Sequence, residues 1–371
     1  MKDSQIDVSY FIPNLRKNGG VHRYCIEFLR NVSKDDSSPS VFYFKGNQFV
    51  EELKRSDWVQ CIRFVETRGV FDLRKKLKAT GGRVLHFLVP DLISLCASLF
   101  VSGDIFRIFT IYDLYCFGPI SGVSIGAWKE RARKYFLKIY AKNFDGFIAI
   151  SGNTGRDMEK FLGISPAKIR VVYPGIVERF FAKHAISEDE GNSYVLTHHV
   201  EESFIPVFYE FLKSLPQFRL IVFGTKNVAD RAAIESIGIR LGIAEKISFK
   251  FNVSDQELAV LYANAAMFIR YVKNEGFGFP VAEAMASGCP VIVSDRGSLP
   301  EIVDIPDLIV PLEDKKGWVL KMRSFAESAP TRDYFIEIER EKAKKFRWDY
   351  ALKEIVAAYE NLLSGKSINE R

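Results

Sequence analysis

Two acids eight residues apart carry the most distinctive chemistry in this sequence. Glu275 and Glu283 bracket the run Glu275-Gly276-Phe277-Gly278-Phe279-Pro280-Val281-Ala282-Glu283. A carboxylate accepts a pair of hydrogen bonds from neighbouring hydroxyls, and sugars and riboses present such pairs. Gly276 and Gly278 let a ligand approach the backbone closely. Pro280 fits the first helical position, where a missing N–H costs nothing. Backbone N–H groups in such a loop point above a helix N-terminus, a place for an anion or a hydroxyl. Glu275 at a strand end and Glu283 in the first helical turn are expected to face one crevice. The bland alternative is a solvated loop acid beside an acid held by the helix dipole.

The elements around this run read as strand, loop, helix, strand. The apolar residues 267–270 end before Glu275, an Ala-rich helix runs to Ser287, Gly288 fits a left-handed cap, and 290–293 restart a strand. The same alternation fills the chain. Strands are expected at 6–11, 40–44, 84–89, 107–111, 146–150 and 169–172, and again at 193–196, 219–223, 247–249, 267–270, 290–293 and 308–310. Short β-rich runs spaced by helices give βαβ units and parallel sheets. Their repetition predicts an α/β protein of two doubly wound domains. The division falls at Tyr173-Pro174-Gly175-Ile176, a hinge-like pair after a strand. The expected domains are 1–174 and 175–349, with 350–371 packing back on the first. The polar run 187–193 reads as a surface loop.

A length of 371 residues suits two cores. Residues 1–173 hold 27 Lys and Arg against 17 Asp and Glu, whereas 174–371 hold 25 against 29. A basic half beside an acidic half expects anions on one side. The start of the chain lacks the pattern of a secretory signal, and within the most apolar region, 84–111, the longest charge-free run, 92–103, is shorter than the roughly 20 residues of a membrane span. The five cysteines (Cys25, Cys61, Cys96, Cys116 and Cys289) form no Cys-x-x-Cys pair and are expected as buried free thiols in a reducing cytoplasm. A dinucleotide fingerprint fails, because Val281 stands where its third glycine belongs.

The run from Glu275 to Glu283 resembles the Glu-x7-Glu signature of the retaining glycosyltransferases of family 4. Further segments match in order. Gly19-Gly20-Val21-His22-Arg23-Tyr24 resembles the family's Gly-Gly loop, and Thr110-Ile111-Tyr112-Asp113-Leu114 its Thr-Ile-His-Asp-Leu strand end. Residues 147–151 and 168–176 are similar to its approach to the interdomain linker. The resemblance implies the GT-B fold, two facing Rossmann-like domains with the donor in the C-terminal one. It implies that Glu275 contacts the donor sugar, that Glu283 holds the ribose, and that N–H groups of Phe277, Gly278 and Phe279 reach sugar and phosphate. Gly19 and Gly20 would lie against the diphosphate, and Asp113 near the transferred sugar or the acceptor. The substrates would be a nucleotide sugar (a GDP-, UDP- or dTDP-sugar) and a bacterial surface glycan or lipid-linked acceptor. Mannosyl- and rhamnosyltransferases are the most similar in motif. The family needs no metal and no cofactor beyond the donor, and the chain has no Asp-x-Asp motif.

Two departures stand out. Tyr112 replaces a histidine, which removes an acid–base group that titrates near neutrality. After the first strand of the second half the family's Arg and Lys diphosphate clamp is missing: Val195-Leu196-Thr197-His198-His199-Val200-Glu201-Glu202 has acids there instead, and no Lys or Arg follows until Lys213. His198, His199, Arg23, Arg270, Lys273, and Lys226 beyond Gly224 are the alternative cations. A catalytically silent glycan-binding or regulatory protein is therefore the second reading. The basic segment 129–142 predicts a helix with Lys and Arg on one side and Phe136, Ile139 and Tyr140 towards another, suited to peripheral contact with the inner face of the cell membrane. Nucleic acid is not expected as a partner.

Overall fold

The computed structural model describes residues 7–15, 19–34, 38–101, 103–114, 125–183, 193–224 and 228–370, without the side chains of 125–127, 129, 130 and 143. The chain forms two compact units, Met1–Gly175 with Trp348–Arg371, and Ile176–Arg347. Lys226, Cys116 and most of the polar run 187–193 lie outside the described residues.

The first unit is built on strands β1 (Val8–Phe11), β2 (Ser40–Phe44), β3 (Arg63–Thr67), β4 (Val84–Phe87), β5 (Phe106–Ile111), β6 (Gly146–Ala149) and β7 (Ile169–Val171). They pair in parallel in the order β3-β2-β1-β4-β5-β6-β7. The central strands read as unbroken apolar runs because helices cover both faces of a parallel sheet. On one face Phe87 stacks on Phe109 at 4.5 Å and Phe109 meets Phe144 at 4.7 Å. On the other, the final helix Trp348–Leu363 packs against the sheet and the helix Gly20–Val32. His86 is sealed there between the Tyr359 hydroxyl at 2.6 Å and Thr110 Oγ1 at 2.8 Å. Burial drives its pKa down to about 3, so the ring is neutral. Arg170 ties β7 to the same helix, its Nε donating to Glu354 at 3.1 Å.

The second unit carries β8 (Tyr194–His198), β9 (Arg219–Phe223), β10 (Ile247–Lys250), β11 (Met267–Arg270), β12 (Val291–Ser294) and β13 (Ile309–Val310). All pairings are parallel, in the order β10-β9-β8-β11-β12-β13. Tyr262 and Phe268 pack edge to face at 5.5 Å in its core.

Three expectations are corrected. Residues 63–67 form the edge strand β3, which the sequence hides because Arg63 and Glu66 interrupt its apolar pattern. The chain turns into β12 at Val291, since Pro290 has no N–H to give the ladder and only its carbonyl accepts, from Phe268 at 2.8 Å. Cys61 and Cys96 are exposed, while Cys25 and Cys289 are buried. Cys96 lies on the outer side of the helix Leu92–Leu99, which turns Ser94, Leu95, Ala97 and Ser98 inward.

Candidate functional site

In an open parallel sheet, ligands bind beyond the carboxyl ends of the strands where the strand order reverses. In the second unit that switch point lies between β8 and β11. The chain leaving β8 begins with His198 and His199, and the chain leaving β11 is the Glu275 loop. Sheet topology thus delivers the acidic loop and the histidine pair to one place.

The loop from Tyr271 to Gly278 is held from several sides. Tyr271 and Val272 are buried at its base, with Tyr271 against Trp318 at 5.1 Å and Phe204 at 5.4 Å. Ser294 Oγ donates to the Val272 carbonyl at 2.7 Å. Glu201 accepts from the Lys273 backbone N–H at 2.9 Å and meets its ammonium at 3.5 Å. The carbonyl of Glu275 accepts from Ser298 N–H at 3.1 Å and from Ser298 Oγ at 3.2 Å, and the Phe277 carbonyl accepts from the same hydroxyl at 2.8 Å. Arg270, the last residue of β11, donates from Nε to Glu275 Oε2 at 2.7 Å, and its Nη2 lies 2.6 Å from the same oxygen. Its Nη1 also reaches the carbonyls of His198 and His199. A loop fixed this way presents its carboxylate without ordering cost when a ligand arrives.

The helix after the loop is Phe279–Ser287, with Gly278 as its N-cap at φ 99° and Gly288 as its left-handed C-cap at φ 78°. The left-handed N-cap requires glycine, because a side chain is strained there. Pro280 therefore occupies the second helical position, not the first, and Glu283 lies past the first turn. Glu283 is therefore not an acid at the helix start, and it is 1% exposed. The Tyr262 hydroxyl donates to its Oε2 at 3.4 Å. The first N–H groups of a helix have no partner inside it, and this helix opens at Phe279, directly after the Gly278 cap. Phe277 is buried, its ring edge-on to Phe279 at 4.9 Å.

The other expected residues fall as follows. His199 has φ 44° and its N–H donates to the Phe223 carbonyl at 3.1 Å, which fastens the turn after β8 to β9. Gly224 follows β9 directly beneath the His198 ring. In the first unit, Gly19 is the exposed N-cap of the helix Gly20–Val32, in the turn following β1 beside the β1–β4 switch point. Asp113 follows β5, and Arg133 of the helix Ile125–Tyr140 comes within 4.0 Å of it. Arg133 also acts on Asp91, whose pKa burial raises and whose side chain accepts from Ser94 N–H at 2.8 Å. Tyr112 is no sugar ligand: its buried hydroxyl donates to the Leu88 carbonyl at 2.7 Å, and burial pushes its pKa well up. Glu201 is likewise no misplaced phosphate ligand but an anchor of the Glu275 loop. Arg270, Ser298 and Gly297 complete the loop, and sequence reading had assigned them no such task. Among the described residues no three His, Cys, Asp or Glu side chains cluster as metal ligands.

The chain is similar to known protein families over most of its length. The family model described as glycosyl transferases group 1 matches residues 178–342, and that of Glycosyltransferase Family 4 matches residues 18–179. The O-antigen chain mannosyltransferase RfbU of Salmonella typhimurium is 29% identical over 191 residues, 50% of this chain and 52% of that protein. The GDP-mannose:cellobiosyl-diphosphopolyprenol alpha-mannosyltransferase of Xanthomonas campestris is 28% identical over 152 residues, 40% of each. The chain thus spans about half or less of the length of these curated relatives. Anabaena HepE, solved in complex with UDP, superposes with a TM-score of 0.74 at 15% identity, over 96% of this chain and 100% of that one. That likeness shows the fold, which is GT-B. With the two family matches running in succession over nearly the whole chain, the protein belongs to the glycosyltransferases of family 4.

Proposed function

We propose that the chain transfers a hexose, with mannose or rhamnose favoured, from a nucleotide sugar to a bacterial surface glycan or its lipid-linked precursor, with retention of anomeric configuration. The observation that carries this reading is the Glu275 loop, stapled at the β8–β11 switch point by Arg270, Ser298 and Glu201. The mannosyltransferase names of its relatives support the donor class, and the diphosphopolyprenol in one of them supports a lipid-linked acceptor.

In this mechanism Glu275 accepts hydrogen bonds from the donor sugar and Glu283 from the ribose. The N–H groups of Phe277, Gly278 and Phe279 meet sugar and phosphate, with Gly19 and Gly20 against the diphosphate and Asp113 anchoring the acceptor. Gly224 and His199 line the diphosphate side. Front-side substitution then has the departing phosphate take the acceptor proton, so catalysis is positioning and charge stabilisation without a metal.

The helix Ile125–Tyr140 supports action at the inner, cytoplasmic face of the membrane. Leu137 points into the core, while Trp128, Arg131, Tyr135, Lys138, Ile139 and, just beyond the helix, Lys142 are exposed. Aromatic and basic side chains on one exposed side suit an anionic interface. Ile139 and Tyr140 thus join the wet side, contrary to the expected division of that helix. No described helix is long and apolar enough to cross a membrane.

Incubation with GDP-mannose, dTDP-rhamnose and UDP-glucose tests the reading: slow hydrolysis of one donor, accelerated by a polyprenyl-diphosphate glycan, is expected. The second reading, a silent glycan-binding or regulatory protein, is favoured by the missing Arg and Lys after β8. It predicts binding with no turnover even when acceptor is present.

A further inference from the structure

We infer that Arg270 is the positioning residue that sets Glu275 for recognition of the donor sugar, an inference that rests on the reading of Glu275 as the acid that meets that sugar. Arg270 is 8% exposed, so its guanidinium has left most of its water and must be met by protein acceptors. It is met on two sides. Nε and Nη2 both contact Oε2 of Glu275, at 2.7 and 2.6 Å. Nη1 contacts the carbonyls of His198 and His199 at the end of β8. Arg270 therefore bridges the switch point, holding the carboxylate to the turn on its far side.

The pattern of contacts sets the role. Both Arg270 contacts fall on Oε2 and neither on Oε1, so the lone pairs of Oε1 are the ones a vicinal hydroxyl pair would use. Two donors of one rigid guanidinium fork converge on Oε2 and hold that oxygen at two points, which a lysine cannot do. Because its donors are directed at Glu275 and at backbone carbonyls, Arg270 acts through Glu275 and not as the phosphate clamp that the chain lacks after β8.

Calorimetry on the full chain separates these roles. Wild type, Arg270→Met, Arg270→Lys, Glu275→Gln and the double variant Arg270→Met/Glu275→Gln are titrated with GDP-mannose, GDP, UDP-glucose and UDP. Wild type should bind one nucleotide sugar more tightly than its own nucleoside diphosphate. Arg270→Met should cut that advantage about tenfold while nucleoside diphosphate affinity, which also reports an intact site, stays within about twofold. Arg270→Lys should lose most of the advantage as well, since charge remains and the fork does not. In the Glu275→Gln background, Arg270→Met should cost less than about twofold more. If Arg270→Met fails to melt cooperatively, Arg270→Lys decides by the same loss. Retention of the advantage in the Arg270 variants, an equal loss in the Glu275→Gln background, or a fall in nucleoside diphosphate affinity overturns the inference alone. Wild type with no preference for either nucleotide sugar removes the reading of Glu275, and the inference with it.

Discussion

Gly297 lies against the peptide of Glu275: a Cβ at position 297 would stand 2.7 Å from the Glu275 nitrogen and closer still to its carbonyl oxygen. The chain after β12 thus presses on the acidic loop, and Ser298 hydrogen-bonds to it from the next position. Gly297→Ala should displace the loop. Backbone cannot yield as a flexible side chain would, and φ at 297 is 58°. Strain and clash together should cost about 2–4 kcal/mol, and donor hydrolysis should fall more than stability at 25 °C explains. A melt and a rate equal to wild type would show that the contact positions nothing.

Glu283 and Glu275 should fail differently when neutralised. Glu283→Gln should weaken binding of the nucleoside diphosphate itself by about 10- to 100-fold, the worth of hydrogen bonds to a charged acceptor. Titration with GDP and UDP reads this directly, and unchanged affinity for both would take the ribose away from Glu283.

His86 makes the first unit acid-sensitive. Its pKa is about 3 in the folded protein against 6.5 for the free side chain. The unfolded chain binds the extra proton between those values, so stability is full above pH 6.5 and falls as pH drops towards 3. The loss from pH 7 to pH 4.5 should be about 3 kcal/mol. His86→Gln should flatten that part of the denaturation profile of the first unit, and an unchanged slope would place the acid sensitivity elsewhere.

Glu339 should show the opposite sign in the second unit. It is fully buried in the helix Ala329–Ala343, its Oε1 accepting from the Val291 N–H at 3.1 Å and its Oε2 without a hydrogen-bond partner among the described residues. Burial raises its pKa well above the ordinary carboxylate value. The folded state then holds a proton that the unfolded state releases, so stability falls as pH rises past the unfolded value near 4.5. Glu339→Gln mimics the protonated form. It should melt a few degrees above wild type at pH 8 and level with it near pH 4, and equal melts at pH 8 would refute the assignment.

The sequence made the scaffold plain because parallel strands covered on both faces read as continuous apolar runs with turns between them. It missed β3, where an edge strand carries Arg63 and Glu66. At the site, Glu275, Gly278 and Glu283 were legible because turn chemistry and a local spacing announce them. Arg270, Glu201, Ser298 and Gly297 were not, because their partners lie across the sheet and only the strand order joins them. Arg270 looked like one free cation among several, and Glu201 like a charge of the wrong sign. Both were explained once β8 and β11 proved to be neighbours. Tyr112 erred in the other direction, as a motif position whose hydroxyl turns inward to Leu88.

The central claim is that Glu275 recognises the sugar of a nucleotide-sugar donor. Glu275→Gln tests it better than alanine, because an amide keeps an acceptor for Arg270 and avoids stranding a buried guanidinium. The measurement is the hydrolysis and transfer rate on the donor that wild type turns over, beside a thermal melt of the same sample. A fall of about 100-fold or more with a melt within a few degrees of wild type is expected. Turnover at the wild-type rate by a folded Glu275→Gln protein would contradict the account.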